Sequence, residues 1–157
     1  MSDTSTGKPT VLLFGRESDP NKWLSPHSKH SIVQNDMHFG TMQHWLSYRN
    51  ALEAGDYDKL KTNVVVRDPV IHYPDDPTWL SKRERILFQA AWLKATKYKD
   101  IAVLLKYSGD LVIGYADPEA GDLGTGLPLD HPDAADPTKW TRANALGKAW
   151  MEVRGEI

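Results

Sequence analysis

Between residues 35 and 51 the chain reads NDMHFGTMQHWLSYRNA, and this corner constrains the fold more than any other stretch. Gly40 punctuates it, and the hydroxyl of Thr41 can accept a free backbone N–H of the turn that follows, so a helix begins there. Met42, Trp45, Leu46, Arg49 and Leu52 recur at offsets of three and four, which lays a largely apolar stripe on one face, and Gly55 can end the helix as a left-handed cap. Gln43 and His44 flank that stripe one turn from the start, where the positive end of a helix favours anions. They are candidates for chemistry. The competing assignment is a half-buried, hydrogen-bonded imidazole beside a surface amide.

A chain of 157 residues, 40% apolar and 25% charged, is long enough for one core without covalent staples, so a single domain over residues 10–157 is expected after a polar, frayed segment 1–9. A formal charge of −2 supplies no basic field for nucleic acid, and it neither requires nor excludes such a substrate. Zero cysteines remove disulfides, thiolate metal sites and cysteine nucleophiles together. No apolar run approaches the roughly 20 residues of a membrane span, and the first ten residues carry no apolar signal-peptide core, so a cytoplasmic location and no membrane partner are expected. Six tryptophans serve cores and stacking platforms alike, and composition does not apportion them.

In order, residues 10–14 (TVLLF) read as a short buried strand ended by Gly15. A loop rich in Pro, Ser, Asn and His follows, then a hairpin from residues 31–33 and 38–39. His27 and His30 have the look of a metal pair, but no acidic or thiolate partner stands at a suitable spacing, so no metal and no cofactor are assigned. A short helical piece is expected over 56–62, a turn-rich crossing over 64–74, and a long helix from Trp79 to about Tyr98 with Lys82, Arg83, Glu84 and Arg85 mostly on its wet face. Ile101, Leu104 and Leu105 mark another helix, and residues 111–115 (LVIGY) a second buried strand. The strand runs into ADPEAGDLGTGLP, where Gly121, Gly124 and Gly126 allow backbone N–H groups to approach a phosphate around Asp122; an ordinary glycine-rich turn has the same composition. An irregular acidic loop over 130–139 precedes a last helix, capped by Thr141, with Leu146, Trp150 and Val153 on one face and Gly147 at a close packing point. Helices around a small sheet give an α+β fold.

Four blocks carry a family likeness in sequence order: WLSPHSKHSIVQNDMHFGTMQHWLSYRNAL, Trp79, WLKATKYKDIAVLLKYSGDLVIGYADP and NALGKAWMEVR. Over about residues 10–155 the chain resembles the NADAR, or YbiA-like, family. The resemblance implies the fold of that family and an N-glycosidase that cleaves a ribose C1′–N bond, in a phosphoribosylamino-pyrimidine or in a base carrying ADP-ribose. The implied partner is a small phosphorylated ribosyl or ADP-ribosyl substrate, with a modified nucleobase in nucleic acid as a further one. It places His44, Gln43, Asp122 and Trp79 around the ribosidic bond, and Ser25, Trp45, Gly124, Gly126 and Asn144 in substrate binding.

The departures bear on mechanism. Gln43 stands where the family has the glutamate of a Glu-His pair, and an amide neither takes nor gives a proton at useful pH. Asn50 stands where the family has a lysine, which removes an amine nucleophile. Leu123 occupies the place of the tryptophan in the family's Asp-x-x-Trp-Gly element; Gly124 keeps the glycine, and Asp122 is near the aspartate position without matching it. Three functions remain open: a divergent N-glycosidase, a pseudoenzyme that binds ADP-ribose-like ligands, and a lyase or isomerase on the same scaffold.

Overall fold

A computed structural model describes residues 10–16, 21–54 and 77–157, with 54 and 77–81 described by their backbone only. The expected helix over 56–62, the crossing over 64–74 and the cap at Gly55 lie outside the described residues.

The two apolar runs pair in parallel as β1 (Val11–Phe14) and β4 (Val112–Tyr115), in the register Val11↔Val112 to Phe14↔Tyr115. A parallel pair is covered on both faces, which is why both runs are apolar rather than alternating. Phe14 stacks on Tyr115 at the C-terminal end, ring centroids 4.7 Å apart and 6° from parallel. Among the described residues there come between them in sequence an antiparallel hairpin, β2 (Ile32–Gln34) and β3 (Met37–Phe39), and the α-helices α1 (Met42–Ala54), α2 (Pro77–Lys97) and α3 (Lys99–Tyr107); α4 (Ala145–Glu156) follows β4. Asn35 and Asp36 turn the hairpin with φ of 52° and 65°, a left-handed pair that short polar side chains tolerate.

The core is one cluster. Met42, Trp45 and Leu46 of α1, Leu87, Ala90 and Ala91 of α2, and Leu146, Trp150 and Val153 of α4 are fully enclosed in it with Phe14, Ile113 and Tyr115. Trp45 and Trp150 are thus core tryptophans, each with its indole N–H satisfied, on Gln34 Oε1 at 2.9 Å and on the Leu24 carbonyl at 3.0 Å. Thr41 caps α1 as its sequence implies, its Oγ1 accepting the His44 N–H at 3.2 Å.

Two expectations are corrected. Arg83 does not lie on the wet face of α2 but is buried, as Lys94 is; it stands three and four residues before Ile86 and Leu87, on the face that α2 turns to the core. The last helix starts not at Thr141 but after Asn144, whose backbone turns left-handed (φ 52°, ψ 42°). Thr141 N–H is instead bonded to the Thr125 carbonyl at 2.9 Å, which holds residues 141–144 as an extended return beside the glycine loop.

Asn144 fixes how α4 meets the sheet. Its Oδ1 accepts the Tyr115 N–H at 3.0 Å and its Nδ2 donates to the Ile113 carbonyl at 2.9 Å, so a side-chain amide completes the free edge of β4 as a further strand would. Gly147 makes the approach possible: a Cβ there would lie 2.3 Å from the Ile113 oxygen.

Candidate active site

The loop after β1 is the piece that joins the parts. Ser25 is fully buried; its Oγ donates to the Arg16 carbonyl at 2.6 Å and accepts the His27 N–H at 3.1 Å. The next carbonyl, Pro26 O, accepts the Gln43 N–H at 2.9 Å. Ser25 therefore caps a turn, and that turn seats the N-terminus of α1 against the C-terminal ends of β1 and β4. In parallel sheets this end is where ligands bind.

Along α1, Gln43, Ser47 and Asn50 stand at i, i+4 and i+7, one face of the helix, and all three are buried. Glu53 continues the face, bonded to Arg49 Nη1 at 2.8 Å and 3.2 Å from Lys82 Nζ of α2; the Arg49 hydrogen bond, then that of Lys82, holds its carboxyl below the ordinary range. The Glu53–Lys82 contact at one end, and the Ser25–Pro26 turn bridging Lys94 and Gln43 at the other, run α1 and α2 antiparallel. Arg83 follows Lys82 at the Asn50–Glu53 end. Ser47 Oγ, Asn50 Oδ1 and Nδ2, and Arg83 Nε are buried with no hydrogen-bond partner. Such groups are rare in a folded protein, because each forfeits the hydrogen bonds it made to water, at about 1–3 kcal/mol. Among the described residues these four atoms lie on α1 and α2, the two helices that pack antiparallel here.

His44 lies at the same helical turn as Gln43, its Nδ1 2.8 Å from Thr41 Oγ1. Trp79 is in the first turn of α2, and its side chain lies outside the described residues. Trp45 points inward, so its part is to fix α1 rather than to touch a ligand.

At the end of β4, Asp117 is a buried carboxylate that accepts from the Tyr115 hydroxyl at 2.9 Å and lies 3.4 Å from Arg16 Nε. Burial, and then Asp117, pushes the Tyr115 phenol far above its ordinary range. Asp122, three residues before Thr125 on the glycine-rich turn Pro118–Leu123, sits on the outside, 47% exposed and 3.9 Å from Arg142 Nη1. Two glycines of this loop, Gly124 and Gly126, stand at close packing points, while a Cβ on Gly121 would meet open space. Gly124 donates its N–H to the Gly121 carbonyl at 3.2 Å, and a Cβ on it would lie 2.7 Å from the Tyr115 oxygen. Gly126 has φ +90°, and a Cβ there would collide with Thr141 Oγ1. Asn144 likewise has both amide atoms committed to β4. The structure thus brings Gln43, His44 and Ser25 together, and sets Asp122, Gly124 and Gly126 on the loop after β4 and Asn144 at the start of α4.

Sequence reasoning passed over Ser47, Arg83, Asp117 and Lys94. A polar residue at i+4 between two others was the signal for Ser47, and a lone lysine among Trp92, Leu93 and Ala95 the signal for Lys94; Arg83 lies within the charge run 82–85, which gave no such signal. Among the described residues no cluster of three or more His, Asp or Glu could hold a metal ion. None of the described helices is long and apolar enough to cross a membrane.

The architecture is that of the NMR structure of the E. coli protein YbiA, which superposes with a TM-score of 0.69 at 18% identity, covering 96% of this chain and 86% of that one. No curated protein matches. The NADAR domain matches residues 13–157, from the end of β1 through α4, and so takes in the Ser25–Pro26 turn, the polar face of α1 and the β4 loop together. On that match, over nearly its whole length, the chain belongs to the NADAR family.

Proposed function

We propose that this protein is a divergent N-glycosidase that hydrolyses a ribose C1′–N bond in a phosphorylated ribosyl or ADP-ribosyl substrate, bound over the Gln43–Ser47–Asn50 face of α1. The observation that carries this is the orphaned set Ser47, Asn50 and Arg83. A hydroxyl and an amide suit ribose hydroxyls, and a guanidinium whose buried Nε–H has no acceptor suits an anion. Arg16, 44% exposed beside Asp117, offers a second cation for a phosphate at the strand ends.

Cleavage at an anomeric carbon passes through an oxocarbenium-like state, which needs a departing base, a positioned water and polar groups around the ring. The Gln43 amide can orient water but cannot take its proton. His44, one residue on, is the proton-carrying group of that turn. Asp117 replaces Asp122 as the loop carboxylate of the site, because Asp122 faces solvent and Arg142.

Two outcomes test this. Incubation with ADP-ribosyl-guanosine or a ribosylamino-pyrimidine should release free base, seen by chromatography. Gln43→Glu should raise that release by about 100-fold or more, the usual contribution of a positioned acid or base. An unchanged rate in that variant would remove Gln43 from the reacting bond. The amides at 43 and 50, neither able to exchange a proton, favour one second reading, a pseudoenzyme that binds the same ligand; calorimetric binding without release of base is its signature.

The orphaned groups also predict a trade-off. Asn50→Leu should weaken ADP-ribose binding at least tenfold by calorimetry while leaving thermal stability equal or higher. An apolar isostere removes an unsatisfied buried amide, which is neutral to favourable by about 1 kcal/mol. Loss of stability with binding intact would show that the amide serves the fold alone.

A further inference from the structure

Beside the Ser25–Pro26 turn, two polar side chains, one from α2 and one from the loop after β1, converge on one hydroxyl. Ser28, in the loop after β1, receives a hydrogen bond from Lys94 Nζ of α2 at 2.6 Å and lies 2.9 Å from His30 Nδ1. Lys94 is fully buried, and its Nζ also donates to the Ser25 carbonyl at 2.8 Å. Ser28 and His30 are only half-buried, so a small molecule can reach them from solvent.

The direction of the bonds follows from what each group has to offer. Lys94 donates to Ser28 Oγ, which leaves the serine proton free to be given, and in the tautomer protonated on Nε2 the His30 Nδ1 is placed at 2.9 Å to accept it. Burial, and next the nearby Lys94, holds His30 below its ordinary pKa, in the neutral form that can accept. Asp100, in the first turn of α3, acts in the opposite sense and favours the imidazolium once it forms. The ring is steadied by an edge-on contact with Tyr98, centroids 4.8 Å apart at 85°, and the backbone by the His30 N–H on the Ser28 carbonyl at 2.8 Å. Nucleophile, base, and a third group oriented by its own bonds are the ingredients of an activated serine.

We propose that Ser28 is a nucleophilic hydroxyl that accepts an acyl group from a small ester, with His30 as the proton acceptor and Lys94 as the donor that stabilises the developing alkoxide. Ser28 Oγ forms a bond to the ester carbonyl carbon as its proton passes to His30 Nδ1. The tetrahedral adduct then collapses, the bond from carbon to the leaving oxygen breaks, and the leaving alcohol takes the proton from His30. Ser28 is left acylated, and a water following the same route returns it to the hydroxyl and releases the acid. The proposal is independent of the glycosidase reading, because Ser47, Asn50 and Arg83 take no part in it.

The test uses the full chain with two probes, p-nitrophenyl acetate and a fluorophosphonate. Mass spectrometry of proteolytic peptides locates the adduct, which separates Ser28 from the neighbouring amine of Lys29. One fluorophosphonate per chain on Ser28, and a burst of p-nitrophenolate, are expected. His30→Gln should slow both by about 100-fold, the range of a lost general base, with the melting temperature of the variant confirming that it folds. Ser28→Ala should abolish the adduct. No adduct on Ser28, or labelling as fast in His30→Gln as in the parent, would overturn the proposal and leave the cluster as a clasp on the loop.

Discussion

Gly147→Ala is expected to destabilise this protein by about 3 kcal/mol or more, a large share of the roughly 5–15 kcal/mol that holds an ordinary domain folded. The added carbon would lie 2.3 Å from the Ile113 carbonyl oxygen and 2.5 Å from both amide atoms of Asn144. The first neighbour is backbone of a buried strand and cannot move alone. The second is the amide that holds the Tyr115 N–H and the Ile113 carbonyl. Relief by moving Asn144 would orphan those two groups, each costing about 1–3 kcal/mol when buried unpaired. Relief by moving α4 would open the contacts of Leu146 and Trp150 in the core. Urea unfolding of the alanine variant measures the loss. A midpoint within experimental error of the parent would mean that α4 has slack against β4, contrary to the packing described above.

The second large effect is on how stability varies with pH. Burial lowers the Lys94 amine from 10.5 to about 7. The folded pKa lies below the unfolded one, so between those values the unfolded chain binds a proton that the folded chain does not, and raising the pH favours folding. Lys94 therefore adds stability with a slope of up to about 1.4 kcal/mol per pH unit as pH rises from about 7 toward 10.5. Below about pH 7 the amine is charged in both states, and the whole cost of burying a cation is present. The groups around it are the Ser25 carbonyl, Ser28, His30 and, 5.9 Å away, the face of Trp150. Among the described residues no carboxylate bonds to it, and desolvation is the cause of the shift. Lys94→Met keeps the length of the side chain and removes the titration. Urea unfolding of both proteins at pH 7.5, 8.5 and 9.5 should give a stability difference that shifts steadily in favour of the parent. Parallel pH profiles would mean that the amine keeps its charge in the fold. Tyr115 imposes the upper limit on both proteins: its phenol is raised in the folded state, so the stability that it contributes is lost as the pH climbs past 10.

The strands, the hairpin and the helices were legible in the sequence because each rests on a local signal. Residues 10–14 and 111–115 are short apolar runs bounded by glycine or polar turns, and they became β1 and β4 within a residue at each start. Thr41 after Gly40 marked the cap of α1, and the hydroxyl is found there. Leu146, Trp150 and Val153 predicted the buried face of α4 by spacing alone. The NADAR likeness was legible for the same reason, as blocks of residues in order. The start of α4 was not: Thr141 is a good cap by residue type, yet the long-range bond of Asn144 to β4 outweighs that local preference.

What the site contains was decided by tertiary structure. Sequence marked Gln43 and His44 from their place beside an apolar stripe, but the depth of Ser47, Asn50 and Arg83 depends on α2 lying antiparallel to α1. The glycines at 121, 124 and 126 promised an anion cradle. At Gly124 and Gly126 the missing Cβ makes room for the Tyr115 carbonyl and for Thr141, because the same conformational freedom suits a phosphate or a neighbouring group of the chain. Periodicity fixes which face of an element is apolar. Which polar group ends up buried, and against what, depends on the residues brought to it from elsewhere in the chain, and for Lys94, Ser28 and His30 that meeting joins α2 to a loop more than sixty residues earlier.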